Sequence, residues 1–239
     1  RDSDAIVENS LISNNYVGIQ CFFSSPIIRN NNISSNACHG IWLRNSNATI
    51  EGNHLENNGH PADAIYMHNS GPIIRANTIT DNGGSGIGCN TYSNATILNN
   101  TITNNNGHGI QCDTHSSPKI LDNNILLNWR GIHCFHYSNP TIEDNNISLN
   151  RDTGVHCWNY SSPTISSNVI TNNGGPGIRC ETYSSPKIQG NNISLNGIQG
   201  VYCLIYSSPT ILSNIITNNN GHGIQCDDHS NPTIEDNII

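Results

Sequence analysis

The stretch Gly109–Asn128, GIQCDTHSSPKILDNNILLN, decides the reading of this chain, because it returns at Gly223–Ile239 as GIQCDDHSNPTIEDNII. Working outward from it, the isoleucine after each Ser-Ser-Pro-type turn recurs as Ile6, Ile28, Ile50, Ile74, Ile97, Ile120, Ile142, Ile165, Ile188, Ile211 and Ile234, at steps of 22 to 24 residues. Unbroken self-similarity at that period is the signature of a solenoid. The repeats run through residues 1–239 without a linker, so the chain reads as one domain. Because the repeat is cut at both ends, that domain is expected to be a fragment of a larger protein. Open ends of this kind call for capping segments or partner subunits.

Each unit has the same parts. An anchor isoleucine is followed three residues later by Asn (Asn9, Asn31, Asn53, Asn77 and so on). An apolar residue follows, then a second Asn (Asn14, Asn36, Asn58, Asn82 and so on), then Gly-Ile-x-Cys. A leucine-rich repeat has a similar period but needs a leucine framework, and leucine is scarce here. The chain holds 42 Asn and 21 Gly, both poor helix formers and good turn formers. Three short strands per coil, with stacked asparagine amides at the bends, fit this pattern. The expected fold is an all-β, single-stranded, right-handed parallel β-helix of about ten coils, with equivalent residues stacked about 4.8 Å apart.

Composition excludes several partners. The net charge is −8, with only 9 Lys and Arg, and phosphate binding needs clustered cations. Nucleic acid is therefore not expected. No apolar run approaches the roughly 18 residues of a membrane helix, so no membrane insertion is expected. The sequons at Asn32, Asn47, Asn94, Asn146 and Asn192 suit an extracellular or cell-surface protein.

Of nine cysteines, eight share one register: Cys21, Cys89, Cys112, Cys134, Cys157, Cys180, Cys203 and Cys226, with Leu43 and Met67 filling the same slot in two coils. Leu and Met as stand-ins mark a core position, so the row reads as stacked buried hydrophobes. A disulfide row or a metal row are the alternatives. Cys38 lies outside the register and is expected to be the exposed thiol.

If Ile and Cys point inward, the residue between them and the one after point outward. Read coil by coil, this strip holds Trp42, Arg44, Tyr66, His68, Asp113, His133, Phe135, His156, Trp158, Arg179, Glu181 and Tyr202. Aromatic faces stack on sugar rings, so Trp42, Tyr66, His133, Phe135, His156, Trp158 and Tyr202 are the expected carbohydrate contacts. Two groups could carry acid–base chemistry: Asp113, His133, His156, Arg179 and Glu181, and separately Arg44, Tyr66 and His68. Asp113 and Glu181 lie three coils apart, roughly 14 Å, too far for a glycosidase carboxylate pair. Asp122, Glu143 and Asp144 gather acids at a turn and are candidate Ca²⁺ ligands; no other cofactor is expected. A second aromatic row, Tyr92, His115, Tyr137, Tyr160, Tyr183, Tyr206 and His229, repeats too regularly for an active site and reads as a structural stack.

The pattern SSPTIxxNxIxxNxxGIxC resembles that of the parallel β-helix repeat superfamily, which includes pectate lyases, alginate epimerases, the maturation factor NosD and many surface proteins. The resemblance covers the whole chain and implies the fold. It implies polysaccharide lyase or epimerase activity only where the matching motifs stand. Arg44, Tyr66 and His68 are faintly similar to an epimerase group, and no lyase motif is intact. The first expectation is a non-catalytic, surface-exposed rod that contacts glycan. A lyase or epimerase acting on acidic glycans is the alternative, and a homo-oligomer stacked end to end into a filament is the third.

Overall fold

A computed structural model describes residues 4–239. The described residues form three parallel sheets, an eleven-stranded sheet A and ten-stranded sheets B and C. Every coil contributes one short strand to each sheet, for example Thr96–Leu98 to sheet A, Thr101–Thr103 to sheet B and Ile110–Asp113 to sheet C. Each strand of sheets A and B places one isoleucine or leucine inward between two outward residues, except the first strand of sheet A, where the inward residue is a valine. From Ile28 to Ile211 the central isoleucine of each sheet A strand is fully buried, each stabilising the coil by about 1.5–3 kcal/mol.

The bends are made by hydrogen-bonded ladders. Asn123 Nδ2 donates to Asn145 Oδ1 at 3.0 Å and to the carbonyls of Ile97 and Leu121 at 3.0 and 2.9 Å. Its own Oδ1 accepts from the backbone and side-chain nitrogens of Asn100, both at 3.0 Å. The same pattern links Asn31 through Asn237 between sheets A and B. A parallel row from Asn36 to Asn219 follows sheet B. The asparagine lies in the core and satisfies the backbone groups that the bend would otherwise strand in an apolar interior. A third ladder was not expected: serine hydroxyls from Ser46 to Ser230 each accept a backbone N–H from the coil before, as with Ser138 N to Ser161 Oγ at 3.0 Å.

The first coil corrects the sequence reading by one residue. Val7 pairs with Ile28 and Ile6 with Ile27, so Ile6 is 57% exposed and Val7 is the true anchor. Ser10 and Asn15, not Asn9 and Asn14, present their N–H groups to Asn31 and Asn36. A one-residue slip sends every side chain of a strand to the other face. Asn9 and Asn14 instead occupy the left-handed bend positions, at φ 50° and 60°.

The cysteine register is as read. Cys89, Cys112 and Cys134 are aligned neighbours, as are Cys157, Cys180, Cys203 and Cys226. Met67 aligns with Cys89, Leu43 with Met67 and Cys21 with Leu43. All nine thiols are free. Burial holds the Cys21 thiol up at about 11 and the Cys157 thiol well above the usual range, so these pack as small apolar groups. Cys38 is half-buried, and Cys226 is exposed.

The second aromatic row is a continuous stack. Tyr137, Tyr160, Tyr183 and Tyr206 follow one another at centroid spacings of 5.1, 5.1 and 5.2 Å, with planes within 8°. It owes its existence to one inserted residue. The bend after sheet C holds a single left-handed residue in the first coils (Phe23, Asn45, Asn69) but a left-handed pair from Thr91–Tyr92 onward.

Candidate functional site

The outward face of sheet C is built from two sources. One is the strand itself, where the residue after the inward Ile and the residue after the inward Cys project off the sheet. The other is the loop from sheet B to sheet C, which ends beside the first of these positions and supplies His39, Asp63, His108, Arg130, Asp152 and Gln199. The strand positions were expected from the sequence; the loop positions were not. For all of them but Asp152, which stands two before Gly154, the signal was the residue before each loop-ending Gly or Ala, which repeats no single type but is polar in most coils.

The centre of the face is an imidazole stack. His133 and His156 are aligned neighbours with ring centroids 5.0 Å apart and planes within 14°. His108 from the loop closes on His133 at 4.6 Å. Phe135 stacks on Trp158 at 4.6 Å, and both lie beside His133, at 5.6 and 6.3 Å. This covering corrects one expectation. His133 and His156 project off the sheet, yet they are only 6% and 4% exposed. Trp158 is 37% exposed and forms the accessible platform, with its indole N–H donating to Thr182 Oγ1 at 3.2 Å.

Burial holds His133 down to about 2 and His108 down to about 4, with the neighbouring histidines and Arg130 adding repulsion and Asp152 only partly offsetting it at His108. His156 is also held below its ordinary value by burial, despite its Nε2–H donating to Glu181 at 3.3 Å. That bond from His156, with Arg179 nearby, holds the Glu181 carboxyl low. Both nitrogens of His133, Nδ1 of His156 and Nδ1 of His108 are buried without a hydrogen-bond partner among the described residues.

Toward the C-terminal coils the face continues as a polar chain. Arg179 Nε donates to Glu181 at 2.9 Å and lies over the Tyr202 ring at 5.7 Å. The Tyr202 hydroxyl donates to Asp227 at 2.9 Å, as does Gln225 Nε2 at 2.7 Å. Arg130 and Asp152 pair at 2.7 Å across the loop. Of the first predicted acid–base group, His133, His156, Glu181 and Arg179 are therefore in one connected cluster. Asp113 makes no direct bond to these four and pairs at 3.0 Å with His136, whose ring meets Phe135.

Toward the N-terminal coils, Trp42 meets Phe22 edge-on at 5.4 Å and Tyr66 at 6.3 Å. His39 stacks on Tyr66 at 4.8 Å, held by an Nδ1–H bond to the Asp63 carbonyl at 2.9 Å. Arg44 and His68 are aligned neighbours. The Asp63 carboxylate takes Ser85 N–H at 2.8 Å and lies over Gly88, where any side chain would collide with it. Its burial raises the carboxyl, and burial together with Asp63 and Asp113 raises the Tyr66 phenol.

Asp122 and Asp144 occupy equivalent left-handed bend positions, at φ 53° and 55°, while Glu143 aligns with Leu121. Among the described residues no group of three or more His, Cys, Asp or Glu side chains is placed to hold a metal ion. The three acids form no preformed Ca²⁺ cage.

The family model described as "Right handed beta helix region" matches residues 1–71, 60–170 and 159–239. No curated protein sequence matches the chain. Among solved structures, a mutant of the periplasmic alginate epimerase AlgG is similar at TM-score 0.75 and 16% identity, over 90% of this chain and 60% of that one. The pectate lyase Pel9A is similar at TM-score 0.73 and 11% identity, over 95% and 70%. The catalytic unit of a GH87 α-1,3-glucanase from Streptomyces thermodiastaticus is similar at TM-score 0.55 and 16% identity, over 97% and 48%. At these identities the likeness is one of fold, and the chain spans about three fifths of the epimerase.

Proposed function

The chain belongs to the right-handed β-helix family, and from that premise we propose that it is a surface-exposed rod that holds an extended glycan along sheet C without cleaving it. The observation that carries this reading is the Phe135–Trp158 platform, 4.6 Å between centroids, set in a row of polar groups that repeats once per coil. Sugar rings stack on such faces while their hydroxyls bond at the edges, and a linear polymer can follow the rod axis from coil to coil. The solved relatives named for alginate, pectate and α-1,3-glucan share the architecture. Among the described residues no helix is long and apolar enough to cross a membrane, and a glycan partner suits a place outside the cell.

The test is affinity electrophoresis of the whole chain through gels containing soluble polysaccharides. Retardation by at least one polymer is expected, with Trp158→Ala weakening it by about tenfold, the loss of one desolvated stacking contact. Full-strength binding by the Trp158→Ala variant would remove the platform from the function.

A second reading, lyase or epimerase chemistry on acidic glycans, is favoured by one observation. The half-buried Asp63 carboxyl lies close to the stacked His39–Tyr66 pair, and its raised value suits a proton donor. Its test is the ultraviolet absorbance of unsaturated uronate, or solvent-proton exchange into the polymer. Turnover that vanishes in Asp63→Asn would replace the first reading by the second.

A further inference from the structure

We propose that the glycan held along sheet C is an uncharged hexose polymer and not a polyuronate; the inference rests on the glycan reading above. Two independent features of the face point to it.

The first is the placement of charge. The face has three guanidinium groups, Arg44, Arg130 and Arg179, and no lysine. Two of the three are already committed. Arg130 pairs with Asp152 at 2.7 Å and Arg179 with Glu181 at 2.9 Å, while Asp63, Asp113 and Asp227 have no arginine partner among the described residues. A polymer with one carboxylate per sugar would bring its charges against a surface with more acids than free cations. Like charges across an interface discriminate strongly against a partner.

The second is the chemistry of the unpartnered groups. His133 lacks a partner at both ring nitrogens, and His156 and His108 each lack one at Nδ1, as does the Trp42 indole at Nε1. Buried polar atoms of this kind are normally satisfied. A neutral imidazole offers one N–H and one lone pair. A sugar hydroxyl, which both donates and accepts, complements the pair directly or through a bridging water. A carboxylate only accepts and leaves the lone pair unmatched. Burial keeps His133 and His108 uncharged at neutral pH, so the stack supplies no imidazolium for an anion. Trp158, 37% exposed, is the accessible edge of the cluster and lies beside the His133 ring.

The experiment compares neutral glucans and galactomannan with polygalacturonate and alginate, each with and without calcium chloride, in the same affinity gels. At least one neutral polymer is expected to bind about tenfold or more tighter than either polyuronate, with little change on adding sodium chloride. A polyuronate binding as tightly as, or more tightly than, any neutral polymer, with or without calcium, overturns the inference and leaves the glycan reading standing. Binding to neither class overturns both. Two variants sharpen the result. Asp152→Asn with Glu181→Gln frees Arg130 and Arg179 and is expected to raise polygalacturonate affinity about tenfold; no rise removes the charge argument. His133→Phe keeps the ring stack but deletes both nitrogens. It is expected to weaken the neutral polymer about tenfold, the loss of a matched hydrogen-bonding pair, whereas a merely structural ring would leave binding unchanged and overturn the imidazole argument.

Discussion

The bend from sheet A to sheet B and the loop from sheet B to sheet C solve the same problem differently. The bend is locked: the next ladder asparagine stands five positions after the bend asparagine from Asn31–Asn36 to Asn214–Asn219, as in Asn123 to Asn128. The loop also begins at an asparagine, but its length then varies. Gly131 stands three positions after Asn128, Gly109 four after Asn105, and Ala64 six after Asn58. Where the bend's buried backbone depends on one amide, the residue cannot change. Where loop residues lie at the surface beyond that amide, side chains are free to differ, and this is where His39, Asp63, His108, Arg130 and Gln199 arise. The chemistry of this rod is concentrated where the repeat is weakest.

The comparison can be broken most directly by mutation at both places. Asn123→Ala is expected to cost about 3 kcal/mol or more, because several buried partners lose their bonds at once. Trp129→Ala, on the exposed part of the loop, is expected to shift stability by less than about 0.5 kcal/mol. Urea unfolding midpoints of the two variants check the contrast, and comparable losses would dissolve it.

The outward face has its own cost, which appears with pH and falls on one strand residue, His133, and one loop residue, His108. His133 and His108 are held to about 2 and 4 in the folded chain, below the unfolded value of about 6.5. As pH falls the unfolded chain therefore takes up protons first. Stability is fully present above about 6.5 and is lost as pH falls toward 4, at up to about 1.4 kcal/mol per histidine per pH unit. Unfolding midpoints measured across this window should fall, and more gently in His133→Phe; a flat profile would show the rings to be solvated.

A smaller effect tests the structural stack. Tyr160→Ala removes two ring contacts, to Tyr137 and Tyr183, and is expected to cost about 1 kcal/mol with no loss of glycan binding. The smallest expected change is a gain. Leu127 occupies a left-handed bend position, φ 57°, where Asn104 and Asn172 stand in other coils. Leu127→Asn should raise stability by about 0.5–1 kcal/mol, since asparagine tolerates that conformation and leucine does not. A loss instead would mean that the exposed leucine packs against something.

The sequence by itself determined the coil, the three sheets, both asparagine ladders, the cysteine register and the tyrosine stack. Each follows from identity at a fixed period, and a parallel in-register stack turns that period directly into contact. The reading slipped only at the first coil, where Ile6 and Val7 are both apolar and pairing with Ile28 alone chose between them. What the tertiary structure decided was the outward face. Alternation gave the direction of His133 and His156 but not their burial, because the covering atoms come from His108, Phe135 and Trp158, at different points of the coil. The alliance of Asp63 with Gly88, and of Arg130 with Asp152, was equally hidden. These contacts join non-equivalent positions of neighbouring coils, and only a folded backbone sets the angle at which a loop leans over a strand.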